Sequence, residues 1–369
     1  MKNIKYKAIF VLLVFLTALF GTVFFAAGSS INKENSPYSA NKDSIVKWIS
    51  TDWLLDHLND ANLVIIDTQP TIWDYTKLHI PGAIYLNENI FRIHKGLSPS
   101  SYAPTAAIEP IFREMGLKNT DTVVVYTGKG DHSGKGDGLE QTHVAYCLAR
   151  YGVKEVYILD GGFEKWISDG KPTTQEYAKA QTSNFRANDR SKEYVISMDE
   201  LKKIKDKPNV VLIDARPKSV YEGQGPWSKP GHIPGAINLP WTRLYDENNP
   251  RLLKTSGEIK TILDENGITP DKTIICSCGT SREATSEFIL LKWYLGYPNV
   301  KIYEGSFTEW TAYPENPTVT GPYPYKQKDS GKIPTDTTRD TVNEETPGFG
   351  IGITLLGVLS LLAFIYKRR

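Results

Sequence analysis

The chain has 369 residues, 40% of them hydrophobic and 23% charged, with a formal net charge of +1. At roughly 100–200 residues per domain, this length suggests two domains plus appendages. The balanced charge argues against a nucleic-acid partner by bulk electrostatics. Three cysteines are too few for a disulfide framework, so packed cores must hold the fold.

At the start of the chain, Lys2, Lys5 and Lys7 precede an apolar run from Ala8 to Ala27. Residues 1–28 therefore read as a secretory signal or, since about 20 apolar residues can span a bilayer, as a retained anchor. A first folded unit is expected over residues 45–173. It holds a strand ending Val64-Ile65-Ile66-Asp67 and a turn His79-Ile80-Pro81-Gly82-Ala83-Ile84. A second strand follows (Val123 to Tyr126), then a helix with Val144, Cys147, Leu148 and Tyr151 on one face. A last strand runs through Ile158-Leu159-Asp160 into Gly161-Gly162-Phe163 and Trp166. A polar linker is expected over residues 174–191. The same blocks then return over residues 192–320: Val211 to Asp214, His232 to Ile237, and Ile302 through Gly305-Ser306-Phe307 to Trp310. Three blocks repeated in one order mark a duplicated domain. Ser197 and Glu200 make a capping-box pattern at the first helix of the second copy. Residues 321–346 read as a polar stalk. Residues 347–369 open on Pro347-Gly348-Phe349, continue as an apolar stretch from Ile351 to Tyr366 and end in Lys367-Arg368-Arg369. A basic cluster beyond an apolar span predicts a transmembrane segment with the body of the protein outside.

In each copy, continuous apolar strands alternate with helices, which predicts an α/β domain with a mainly parallel sheet flanked by helices. The chemistry concentrates at one loop of the second copy. A buried strand from Thr273 runs to Ser277-Cys278. The polar loop Gly279-Thr280-Ser281-Arg282-Glu283 follows, and then a helix with Ala284, Phe288, Leu291 and Leu295 on one face, closing at Gly296. A cysteine between a strand end and a helix N-terminus is placed to become a thiolate, because loop N–H groups and the helix dipole favour negative charge there. A lowered thiol pKa is expected, making Cys278 a nucleophile, and the same cradle accepts an anionic donor. Arg282 is the loop cation expected to hold that anion. Glu283 opposes binding unless it points outward. Cys276 falls inside the strand, as a core residue or as a thiol resolving an oxidised Cys278.

The first copy carries Thr127 at the position of Cys278. The glycine- and lysine-rich run that follows, to Gly138, lacks P-loop spacing and reads as a flexible loop at the interdomain cleft. His79 and His232 occupy the same turn of separate copies, so they read as structural and not as a metal pair. Asp67 and Asp214 are expected to fix the loops after their strands. Trp166, Trp310 and Cys147 read as packing. Neither a metal nor a cofactor is indicated.

Asp214-Ala215-Arg216, the run Gly231 to Asn238 and the strand-to-Cys278 turn resemble the rhodanese family over residues 45–320. The tandem layout is similar to that of thiosulfate and mercaptopyruvate sulfurtransferases. The resemblance implies two rhodanese-like domains, the second catalytic. It further implies that Cys278 takes sulfur from a small donor, thiosulfate or mercaptopyruvate, as a persulfide and passes it to a thiol or cyanide. Gly279, Thr280, Ser281, Arg282 and Glu283 would then contact the donor. Arg216 would join them, although its family counterpart more often orients structure. The family places Ala or Ser six residues after the cysteine, and Cys278 with Ala284 meets that spacing. The loop departs from both the Arg-Lys-rich loop of thiosulfate enzymes and the Gly-Ser-Gly loop of mercaptopyruvate enzymes, which leaves the donor open. Val220 also stands before Tyr221 where family members often carry Arg. The tail resembles the PGF-type sorting signal of archaeal surface proteins, which implies removal of the segment and a lipid anchor; the alternative is a plain membrane helix. Two other functions remain: a non-catalytic sulfur-handling module at the cell surface, and a phosphatase. Cys276-x5-Arg282 has phosphatase spacing, but from Cys278 the Arg comes too early.

Overall fold

In the computed structural model, residues 38–39 and 42–326 are described. The expected signal or anchor, most of the stalk and the C-terminal segment lie outside them. Among the described residues no helix is long and apolar enough to cross a membrane.

The first domain is a five-stranded parallel sheet in the order β1 (Val46–Ile49), β7 (Glu155–Leu159), β6 (Thr122–Tyr126), β2 (Leu63–Asp67), β3 (Ala83–Tyr85). Its strands are short and β-branched, and helices cover both faces, so polar alternation is absent, as a sheet buried on both sides requires. Helices α1 (Thr51–His57), α2 (Ile72–Lys77), α3 (Thr105–Glu114), α4 (Leu139–Arg150) and α5 (Gly162–Ser168) supply the cover. A two-stranded antiparallel ribbon, β4 (Arg92–Lys95) with β5 (Ser98–Tyr102), projects from this domain.

The second domain repeats the plan. Its parallel sheet runs β11 (Val300–Ile302), β10 (Thr273–Ser277), β8 (Val210–Asp214), β9 (Ala236–Asn238). The counterpart of β1 shrinks to a single parallel bridge, Val195 to Ile302. Its helices are α6 (Met198–Ile204), α7 (Ser256–Glu265), α8 (Arg282–Ile289) and α9 (Ser306–Ala312). Ser197 and Glu200 form the capping box at α6.

The two sheets share one continuous core. Helix α4 lies against α8, and all twelve of its residues are buried. Cys147 is therefore packed as expected, but the one-faced helix read from the sequence is enclosed on every side. Helix α8 likewise buries its last six residues and runs into a π-turn, Leu290–Tyr294, before Gly296 ends it at φ +72°. Tyr146 meets Phe288 edge-on, with ring centroids 5.6 Å apart, and its hydroxyl donates to Glu304, which also accepts from Arg150.

The segment expected as a linker is laid along the first domain. Thr174 pairs with His79, Ser183 N–H donates to Arg113 O, and Phe185 is fully buried against Phe112. The first residues of the expected stalk also pack: Gly235 N–H donates to Pro324 O and the Tyr325 hydroxyl to Asp206. The repeated histidines brace equivalent turns. His79 stacks on Tyr75 and His232 on Tyr221, each with Nδ1 on that tyrosine's carbonyl. Trp166 and Trp310 are buried, with Nε1 donating to Pro172 O and Pro317 O.

Candidate active site

Strand β10 is central and apolar; Ile274, Ile275 and Cys276 are fully buried. The strand order places the connections from β8 and β10 on opposite sides of the sheet. The C-terminal ends of these two strands thus form a topological switch point, where open α/β sheets receive ligands. Cys278 stands there, one residue beyond β10.

The first turn of α9 grips the loop. Ser306 Oγ accepts the Cys278 N–H at 3.2 Å, Phe307 N–H donates to Cys278 O, and Thr308 donates to Gly279 O through both its amide and its hydroxyl. Ser306 adopts φ +51°, where the first copy has Gly162 at φ +62°. A left-handed serine costs about 1–2 kcal/mol, and its hydroxyl supplies the acceptor that the glycine lacks. Ser281 is also left-handed, at φ +72°, which turns the loop back into α8. This fold brings the amides of Thr280 and Ala284 onto the Cys278 sulfur. Trp227 lies across the loop, with Nε1 on Thr308 Oγ1. A Cβ at Gly279 would come 2.7 Å from Trp227 Cη2, so only glycine fits beneath the indole.

The sulfur itself is covered: Cys278 is 0% exposed. Burial pushes its thiol pKa well up, and the adjacent Glu283 carboxylate pushes it further, outweighing the two amides. The thiol pKa is thus raised and not lowered as expected. The amide cradle exists, but burial outweighs it, and the negative charge of Glu283 near the sulfur adds to the rise.

Arg282 does not face a donor as expected but points to the first domain. Its Nε contacts Glu88 at 2.7 and 2.9 Å, Nη1 and Nη2 contact Asp137 at 2.6 and 3.0 Å, and Nη2 lies 3.4 Å from Glu140. All three carboxylates belong to the first domain, so the guanidinium is spent on the seam and turns no nitrogen to a donor. Burial and the nearby Asp137 raise Glu140 to about 7. Burial alone would raise Glu88, but His143 and Arg282 hold it below its ordinary value. His143, buried beside Arg92, is pushed down to about 4, so it is neutral near pH 7.

Arg216 is 1% exposed, clamped on Asp214 and on Gly231 O, and sandwiched by Trp227 and Phe307. Its Nη1 is buried without a hydrogen-bond partner, which leaves one guanidinium edge for an anion next to Gly279. The first domain contributes two residues that local sequence patterns gave no means of finding. Tyr102 reaches Ser281 Oγ at 3.3 Å, and Arg92 stacks on Tyr102 within electrostatic range of Cys278.

The corresponding place in the first domain is closed. Thr127 Oγ1 donates to Thr68 O, and Arg251 of the second domain packs over Gly162 and bonds Gly161 N–H and Gly136 O. The Gly128–Gly138 loop, expected to be flexible, is tied down. Asp74 accepts from the amides of His132 and Ser133 and from the Ser133 hydroxyl, filling the anion nest with the protein's own carboxylate.

One buried acid has no visible compensation. Glu287, on α8 below Glu283, is 0% exposed with neither carboxyl oxygen hydrogen-bonded. Burial, then the nearby Asp214 and Glu283, raise its pKa well above 4.5. The unfolded chain gives up this proton as pH passes its ordinary value, while the folded chain keeps it, so Glu287 costs stability as pH rises above about 4.5. Glu287→Met is expected to stabilise by about 1–4 kcal/mol at pH 8 and much less at pH 5. Thermal melts at the two pH values check this; equal gains would mean that Glu287 holds no proton.

A duplicated parallel α/β unit with one amide-ringed cysteine at its switch point is built for nucleophilic cysteine chemistry. The rhodanese-like domain family matches residues 50–169 and 197–313. A Synechococcus elongatus relative is 35% identical over 295 residues, 78% of this chain and 89% of its own. The Azotobacter vinelandii thiosulfate sulfurtransferase is 30% identical, covering 70% of this chain and 92% of its own. A solved structure of SseA from Escherichia coli, a 3-mercaptopyruvate enzyme, superposes with a TM-score of 0.62 at 28% identity, over 70% of this chain and 98% of that one. The chain belongs to the rhodanese family and is a sulfurtransferase that works through a cysteine persulfide.

Proposed function

We propose that Cys278 carries the sulfur and that the donor is a small anionic sulfane-sulfur compound of the thiosulfate type. The observation that carries this reading is the placement of Cys278 at the β8/β10 switch point with two amides on its sulfur, while Thr127 fills the same place in the first domain. The donor's outer sulfur bonds to Cys278 and its sulfonate leaves as sulfite. The persulfide then yields its sulfur to a thiol or cyanide. The amides of the Gly279–Ser281 stretch and the unpartnered Nη1 of Arg216 are the donor's partners. We place the body of the protein at the outer face of the cell membrane, held by residues 1–28, 347–369 or both, with the Pro347-Gly348-Phe349 tail as a sorting signal. That part rests on the sequence pattern alone.

The test is mass spectrometry of the intact protein after incubation with thiosulfate or mercaptopyruvate. One added sulfur on the peptide containing Cys278 is expected with thiosulfate. A protein left unmodified by either donor would favour the non-catalytic module. For topology, protease added to intact cells is expected to cut between Pro322 and Thr346; protection lost only on lysis would reverse the orientation.

A further inference from the structure

Ser281 and Arg282 are neighbours in the loop after Cys278, and the first domain holds them both. The Ser281 hydroxyl meets the Tyr102 hydroxyl at 3.3 Å, and Arg282 Nε meets Glu88 at 2.7 and 2.9 Å. These two anchors belong to one hydrogen-bonded circuit. Arg92 Nη2 reaches both the Tyr102 hydroxyl and His143 Nε2 at 2.9 Å, and His143 Nδ1 reaches Glu88 at 2.8 Å. Arginine has no acceptor, so it donates in both bonds. His143 Nε2 therefore accepts, and the ring proton sits on Nδ1 and goes to Glu88. The Tyr102 oxygen accepts from Arg92 and keeps its own hydrogen for Ser281. The circuit runs Ser281, Tyr102, Arg92, His143, Glu88, Arg282. Its hub, Arg92, is fixed by a bond from Nη1 to Ser100 O at 2.9 Å and by its stacking on the Tyr102 ring, 3.9 Å from the centroid.

The residue held at one end of this circuit is in a costly conformation. Ser281 is fully buried at φ +72°, a backbone region that a side chain disfavours. In the first domain the third residue past Thr127 is Gly130, at φ +84°, and glycine takes that conformation freely. A glycine at 281 would relieve the same turn but would lack the hydroxyl that Tyr102 holds. The turn also starts helix α8, because Thr285 N–H donates to Ser281 O at 3.3 Å. The conformation of Ser281 thus sets both the path of the chain away from Cys278 and the entry into the helix.

We propose that Tyr102 is a positioning residue for the sulfur transfer: oriented by Arg92, it holds Ser281 in the left-handed turn that shapes the loop around Cys278. The proposal rests on Cys278 as the nucleophile. Tyr102 acts through Ser281 and not on the sulfur or the donor. The first domain, which has Thr127 where a nucleophile would stand, thereby takes part in the reaction of the second.

The experiment is rapid-quench mass spectrometry of persulfide formation, with thiosulfate and mercaptopyruvate each supplied as donor. The proteins are wild type, Tyr102→Phe, Ser281→Gly, the double variant and Cys278→Ser. Tyr102→Phe removes one hydroxyl and keeps the ring. It is expected to lower the saturating rate of loading about 10-fold, the scale on which a side chain disfavours the turn. The half-saturating donor concentration should stay within about twofold of wild type, because the loss falls on the loop and not on binding. In the Ser281→Gly background the same substitution should change the rate less than about twofold, since glycine needs no partner to hold the turn. Arg92→Lys keeps the charge but lacks the fork that reaches Tyr102 and His143 together. It should slow loading as Tyr102→Phe does and lose that effect beside Ser281→Gly, which separates positioning from misfolding. Loading of Tyr102→Phe at the wild-type rate would overturn the proposal, as would a 10-fold loss that persists in the Ser281→Gly background. A persulfide still formed in Cys278→Ser, or a wild type loaded by neither donor, would overturn the nucleophile instead, so the two failures are distinct.

Discussion

Cys278→Ser is expected to lower the rate of sulfur transfer at least about 1,000-fold, while Cys276→Ser keeps most of it. The two thiols are both fully buried and lie two residues apart, so the difference is one of placement. Cys276 is inside the ladder, paired with Ile213 and Ile302, and no loop amide is directed at its sulfur. Cys278 is past the last ladder pair, where Ser281 turns the chain and brings the Thr280 and Ala284 amides onto the sulfur. A serine hydroxyl at 278 fits the space but forms no stable persulfide. A serine at 276 costs about 1–3 kcal/mol of stability for an unpaired buried hydroxyl and leaves the loop in place. Thiocyanate formation from thiosulfate and cyanide, with melting curves for both variants, checks this. Loss of turnover in Cys276→Ser with normal turnover in Cys278→Ser would reverse the assignment.

Arg282→Ala is expected to act on the domain seam and not on donor affinity. The substitution leaves Glu88, Asp137 and Glu140 without their shared cation. Truncating one partner of a largely buried, hydrogen-bonded charge cluster costs about 2–4 kcal/mol, or a fall in Tm of roughly 3–7 °C for a body of this size. Adding Glu88→Gln should recover part of that loss, since one stranded charge goes with it; the double-mutant cycle measures the coupling. In the double variant the thiosulfate KM should lie within about threefold of wild type. A KM raised more than about tenfold with an unchanged Tm would return Arg282 to the donor site.

That reversal shows where sequence reading stopped. Arg282 was legible as a cation in a cysteine loop, and in that frame the nearest anion is a substrate. Its actual partners sit in the first domain, far away in the chain, and only the docking of α4 and the β4–β5 ribbon against the second domain brings them near. Glu283 misled in the same way. Its position in the loop was plain, but how near its charge comes to the sulfur depends on a left-handed turn at Ser281, a conformation that composition does not announce. Trp227 and Ser306 were missed because each acts through a contact across a loop: the indole over Gly279, and a hydroxyl on the Cys278 amide. One signal was available for Ser306. Its copy in the first repeat is glycine, and a serine replacing a glycine in a repeated turn marks a place that tolerates strain for a hydrogen bond.

Some features were determined by the sequence alone because they depend on local chemistry repeated twice. The duplication, the parallel α/β units, the repeated histidine and tryptophan turns and the absence of a nucleophile at Thr127 follow from apolar periodicity and matched motifs, which neighbouring residues carry with them. The ionisation of Cys278, the partners of Arg282, the free edge of Arg216 and the uncompensated Glu287 were decided by the tertiary structure. Each depends on how much water is excluded and on which charges lie a few ångströms away, and in this fold those charges come from strands and helices of both domains.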